Sequence, residues 1–220
     1  PLSLNLEDIG GVGLYVPTEP MLAGALLLVV ARRLTGIAPP REFLAHPVSR
    51  WVAAALAWVA FTSVVSSDPL VSLKFLIART WFVVGFFLLA GQIFFTQPNS
   101  RHRAILLYAF PLAVVIGYTL VRHAGYGFDK DAGHWVMSPF FKDHTSYGAV
   151  LAMFIPPVIA LVLSKRFELV WRVAIGALLI VLLVGTVLSY TRAAWVSLAA
   201  AAALFGLMRV GFKLSTLLLL

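Results

Sequence analysis

The chain is a succession of apolar runs approaching the ~20 residues that carry an α-helix across a bilayer, separated by short polar connectors. The two-residue alternation of a membrane β-barrel is not seen in these runs. They predict an all-α, polytopic transmembrane bundle with seven complete helices, over about 19–33, 51–65, 70–95, 104–121, 146–163, 173–188 and 193–208. A truncated eighth is expected over 214–220, whose seven residues at ~1.5 Å each are too few to span. That run, and Pro1 in place of an initiating Met, lead to the expectation of a fragment, with residues 1–220 forming one transmembrane domain.

Local signals set the boundaries. Thr18, Glu19 and Pro20 read as a helix start, with Thr18 as the cap and an acid in the first turn. Leu34 to Arg50, with Pro39, Pro40 and Pro47, reads as a connecting loop, and Ser66 to Pro69 as a short turn. Pro111 is an expected kink in the fourth helix, and Pro156 with Pro157 an expected interruption of the fifth. The longest polar stretch, 122–145, is an outer loop containing Asp129, Lys130, Asp131, His134, Lys142, Asp143 and His144. Leu2 to Gly13 is mixed and is expected at the interface or inside the bundle.

Composition supports this reading and charge extends it. Hydrophobic residues make up 61% of the chain, against 45 to 50% in a soluble domain. The absence of cysteine excludes disulfides and thiolate metal sites. The net charge of +8 invites a nucleic-acid reading, but basic cytoplasmic loops account for it, and no nucleic acid is expected as a partner. Loops 32–50, 96–103, 164–172 and 209–213 carry eleven Lys and Arg, the alternate set only four, which assigns the first set to the cytoplasm. Arg192, Lys142 and His144, with Lys74 and Arg79 in the first turns of the third helix, then share the outer side.

Arg192 is the leading candidate for chemistry, because it stands at the seam between two apolar runs. An arginine at a helix centre costs about 2.5 to 3.5 kcal/mol on insertion scales, so near a membrane boundary it turns to protein, water or phosphate. Its planar fork suits bidentate phosphate contact, and Ser189, Tyr190 and Thr191 beside it offer three hydroxyl donors to an anion. Snorkelling to the interface is the competing account. Arg79 is a candidate second phosphate contact, and Lys74, about a turn nearer the outer face, is the better placed of the two to reach lipid phosphates. Lys142, Asp143 and His144 precede the fifth helix, where Asp143 or Thr145 serves as cap or the free N–H groups attract an anion. Asp129, Asp131 and His134 suggest a divalent cation, which the intervening Lys130 opposes, and no metal is assigned. No P-loop, zincin or serine-hydrolase motif occurs.

PFFKDHTSYGAVLAMFIPP (Pro139 to Pro157) taken with LSYTRAAWVSLAAAAALFG (Leu188 to Gly206) resembles the O-antigen ligase family of bacterial inner-membrane proteins. There, an aromatic, Asn- or Asp- and His-containing element opens one helix and an S-x-[TS]-R-[GA]-[AG]-W element opens a later one. The resemblance covers about Leu14 to the end. It implies a GT-C-like glycosyltransferase, multi-pass in the inner membrane, with its active face in the periplasm. Such an enzyme transfers a glycan from undecaprenyl pyrophosphate to a lipid A-core sugar, with no cofactor, nucleotide sugar, ATP or metal. By the same resemblance Arg192 holds the pyrophosphate, and Asp143 and His144 belong to the element before the fifth helix. A second arginine and the general-base histidine are expected in a large periplasmic loop downstream, so no catalytic residue is assigned within 1–220 and this chain alone is expected to be inactive. An O-antigen polymerase and a protein O-oligosaccharyltransferase share the donor and differ in acceptor. A transporter or flippase is the non-enzyme alternative, for which paired broken helices are the expected mark.

Overall fold

A computed structural model describes residues 2–5, 15–36, 39–97, 99–164 and 166–211. Apart from two-residue extended pieces at Leu4–Asn5 and Tyr15–Val16, its regular structure is helical. The chain divides into two compact units, Asn5–Arg101 and His102–Leu220 with Pro1–Leu4. The expected eighth helix and most of Leu2 to Gly13 lie outside the described residues.

The first unit opens with α1 (Thr18–Leu34), in which Thr18 is the first helical residue and Pro17 holds the cap position, so the expected Thr18 cap is corrected. The proline-rich connector contains a short helix, α2 (Arg41–Ala45), that its composition concealed. The buried Ser49 hydroxyl donates to the Phe43 carbonyl at 2.6 Å and ties this turn to the next helix. That helix, α3 (Pro47–Val64), starts four residues earlier than expected, because His46 Nδ1 accepts the Val48 N–H at 3.3 Å and Pro47 fits the first turn. Asp68 caps α4 (Pro69–Phe82) in the same way, through the Val71 N–H. The helix then passes through a π-helical segment, Val83–Leu89, into α5 (Ala90–Thr96), giving a 28-residue rod over Pro69–Thr96.

The second unit holds most of α6 (Ser100–Ala124) and all of α7 (His144–Leu163), α8 (Leu169–Leu188) and α9 (Arg192–Arg209). Its core is one apolar cluster in which Leu112 and Ile116 of α6, Leu151, Ile155 and Val158 of α7, and Ile175 and Leu182 of α8 are almost fully buried. α7 runs unbroken through Pro156 and Pro157, correcting the expected interruption. The two prolines deprive the carbonyls of Ala152 and Met153 of their i+4 donors without ending the helix, which packing against both neighbours sustains.

Six helices among the described residues are long and apolar enough to cross a membrane, and their outward faces carry exposed Leu, Val, Ile and Phe. The chain is thus a membrane-embedded helical protein. The expected seventh span is corrected: α1 has 17 residues, with Glu19 in its first turn and Arg32 and Arg33 in its last, and falls short of that length.

Candidate functional site

The site begins with the loop between α6 and α7. Arg122, in the last turn of α6, donates to the Tyr118 hydroxyl at 3.0 Å and to the carbonyls of Val136 and Ser138. Its guanidinium lies 5.5 Å from the ring centroids of both Tyr118 and Trp135. This cation is spent on folding the loop back over the helix end. The Asp129 carboxylate accepts the N–H groups of Asp131 (2.9 Å) and Ala132 (3.3 Å) and starts a 3₁₀ turn, Ala132–His134. Asp129 is therefore a turn former, and among the described residues no three His, Asp or Glu converge as a metal would require. Beneath the turn, His123 is fully buried with Nε2 2.7 Å from the Asp129 carbonyl, which can only accept, so Nε2 carries the proton.

The three residues joining α8 to α9 make the second half. Ser189 is fully buried, its hydroxyl donating to the Thr186 carbonyl at 2.8 Å. Tyr190 takes a left-handed backbone (φ 51°) and donates its hydroxyl to the Phe128 carbonyl at 3.0 Å, fastening the loop to the α8–α9 corner. Thr191 donates to the His144 carbonyl at 2.7 Å, joining the first residue of α7 to the start of α9. The contact is close because residue 148 is glycine: a Cβ there would stand 2.6 Å from Thr191 Cβ and Oγ1. All three hydroxyl protons thus go to backbone carbonyls. The three hydroxyls expected to donate to an anion donate here to backbone carbonyls instead, that of Thr186 close in sequence and those of Phe128 and His144 remote from it. Thr191 provides no side-chain cap, so the first N–H groups of α9 lack that partner.

Between these halves lies an open hollow of about 330 Å³, lined by Lys130, His134, His144, Thr145, Tyr190 and the Thr191–Ala193 turn. The exposed Arg192 guanidinium stands there without a hydrogen-bond or ion-pair partner among the described residues. The rings of His134 and His144 lie with centroids 4.3 Å apart. Among the described residues no carboxylate lines the hollow. Asp143, though adjacent in sequence, accepts the Ser146 N–H at 2.8 Å as the cap of α7, and that bond first of all holds its carboxyl below the usual carboxylate range. Lys142 is exposed and does not line the hollow.

The structure therefore brings together Arg192, His144 and Tyr190 of the expected site, places Ser189 behind the wall and Asp143 at a cap, and adds Lys130, His134 and Thr145. In the sequence His134 was legible as a possible cation ligand and Lys130 as a charge opposing one, not as parts of a common hollow with Arg192. Lys74 and Arg79 belong to α4 of the other unit, both exposed, with Arg79 5.9 Å from the Phe75 ring centroid. From the hollow an apolar groove of about 490 Å³ continues between α7 and α9. It shares Thr145, Thr191 and Ala193 with the hollow and is walled further on by Ala149, Met153, Pro156, Leu198 and Ala201.

The chain matches no family model, no curated protein and no solved structure.

Proposed function

We propose that this chain is part of a GT-C-like membrane glycosyltransferase of the O-antigen ligase kind, acting at the periplasmic face of a bacterial inner membrane. The hollow holds the diphosphate of an undecaprenyl-linked glycan donor, and the groove takes the first isoprene units of its tail. One observation carries this reading: two cations, Lys130 and Arg192, and two imidazoles surround a cavity free of carboxylates, at the head of an apolar groove between two membrane helices. A head group bearing two phosphates on a long hydrocarbon matches both parts.

In the reaction, an acceptor hydroxyl attacks the anomeric carbon, the C–O bond to the diphosphate breaks, and its electron pair leaves with the diphosphate. Negative charge grows on the leaving oxygens, where Arg192, the uncapped N–H groups of α9 and Lys130 stabilise it without rearranging. The acceptor proton passes to a base that the family resemblance places in a later periplasmic loop. Ligase, O-antigen polymerase and protein O-oligosaccharyltransferase share this donor half, and assays offering lipid A-core, lipid-linked glycan or protein as acceptor separate them.

The test is Arg192→Lys in the full-length protein, which keeps the charge and loses the fork. Transfer from a purified lipid-pyrophosphate donor, without ATP or added metal, should fall by roughly 10²- to 10³-fold while membrane insertion stays normal. Transfer at the wild-type rate would remove Arg192 from the mechanism.

A further inference from the structure

The first unit contains a second hollow of a different character. It encloses about 420 Å³ and is built where α2 and the start of α3 meet the π segment and α5. Phe43 is buried at its centre, with the rings of Phe87 and Phe95 5.4 and 6.0 Å from its own. Gly91 lets the Phe43 ring lie directly on the helix, since a Cβ there would be 3.1 Å from two ring carbons. His46, Ser49 and Arg101 are the polar residues of the lining. His46 accepts the Val48 N–H through Nδ1, which leaves Nε2 as its donor. Among the described residues the exposed Arg101 guanidinium has no hydrogen-bond or ion-pair partner.

The chemistry of this hollow is half hydrocarbon and half cation. Residues 32–50 and 96–101 of this unit carry Arg32, Arg33, Arg41, Arg50 and Arg101 against one acid, Glu42, and of these Arg101 lines the hollow. Arg50 is partly spent, donating from Nε to the Ala45 carbonyl at 3.1 Å. Phe87 and Phe95 belong to the membrane-span helix Pro69–Thr96, so the apolar side they supply is within reach of acyl chains. An occupant has to bring an apolar body for three phenylalanines and an anionic group for a planar, unpaired guanidinium, and it has to arrive from the bilayer. π-Helical turns are uncommon and gather at functional sites, and Phe87 is presented by one.

We propose that this hollow is a specific site for an anionic phospholipid, with an acyl chain against Phe43, Phe87 and Phe95 and the phosphate on Arg101. It is separate from the donor hollow and independent of the glycosyltransferase reading, because it rests on residues of the Asn5–Arg101 unit alone. It differs from the diffuse attraction of basic loops to anionic leaflets in requiring one arginine at one cavity.

The experiment uses the purified chain in mixed micelles of phosphatidylglycerol or phosphatidylcholine, with retained lipids counted by native mass spectrometry. Wild type should retain one phosphatidylglycerol per chain in preference to phosphatidylcholine. Arg101→Gln, at an exposed position that leaves the fold unchanged, should weaken that retention by about ten-fold, the loss of one charge-assisted phosphate contact. Arg101→Lys should restore part of it, and Arg192→Gln should leave it unaltered. Equal retention by Arg101→Gln, equal retention of phosphatidylcholine, displacement by millimolar inorganic phosphate, or matching loss in Arg192→Gln would each overturn the proposal.

Discussion

Gly148→Ala tests whether the α7–α9 junction is built as described. On an isolated helix the change is favourable by about 1 kcal/mol, since alanine is the better helix former. Here the new methyl would stand 2.6 Å from Thr191 Cβ and Oγ1 and 3.0 Å from Cγ2, about 1 Å inside ordinary carbon contact distances. The opposing atoms lie at the root of a short side chain, so relief requires the start of α9 to move. Such overpacking costs about 1 to 3 kcal/mol. Moving Thr191 also breaks its 2.7 Å bond to the His144 carbonyl, a further ~1 kcal/mol. The net expectation is a loss of roughly 1 to 3 kcal/mol, or a fall of about 3 to 10 °C in Tm for a chain of this size. Thermal unfolding in detergent measures it. Diphosphate binding should weaken in parallel, because Arg192 and Ala193 follow Thr191. Adding Thr191→Gly removes the opposing Cβ, so the double variant should be less unstable than the two single losses added together, by about 1 kcal/mol or more. A Gly148→Ala protein that melts at or above the wild-type temperature would show that helix propensity prevails and that the junction is looser than drawn.

Asp143→Ala should cost about 1 kcal/mol at neutral pH through loss of the α7 cap, whereas Asp143→Asn should keep most of it. Because the folded carboxyl is held below its unfolded value, the aspartate's contribution is complete above the ordinary carboxylate range and fades as pH falls through the lowered one. The protection factor of the Ser146 amide, taken against its intrinsic exchange rate at each pH, should therefore fall in wild type as pH drops below the ordinary carboxylate range and stay flat in Asp143→Asn. Tyr190→Phe removes only the bond to the Phe128 carbonyl, so protease cleavage within 125–137 should quicken several-fold. Its Tm should fall by no more than the equivalent of about 1.5 kcal/mol, and unchanged cleavage would mean that Arg122 alone holds the loop.

Most of the fold was legible because a bilayer makes hydrophobic run length a strong signal. α7, α8 and α9 lie within a few residues of the stretches read from composition. The starts were less legible: His46 caps α3 with a ring nitrogen rather than an oxygen, and Pro47 looks like loop until that bond is seen. At the site, Arg192 stood out through its charge in an apolar setting. The roles of its neighbours did not, because each hydroxyl has two credible partners in sequence terms. The acceptors that decide between them, the carbonyls of Phe128 and His144, lie 62 and 47 residues away. Lys130 and His134 belong to a loop that Arg122 draws back onto α6 through carbonyls 14 and 16 residues further on and that Tyr190 fastens at Phe128.

The π segment of the 28-residue rod has a geometric consequence of its own. Each residue of an α-helix advances the azimuth by about 100°, and a widened turn absorbs roughly one residue without advancing it as far. The stripe bearing Lys74 and Arg79 and the stripe bearing Gly91 are thereby thrown out of phase across Val83–Leu89. At ~1.5 Å per residue the rod is also longer than a hydrocarbon layer of ~30 Å. One continuous element thus presents differently oriented faces in the two leaflets, as two shorter helices set at different rotations would.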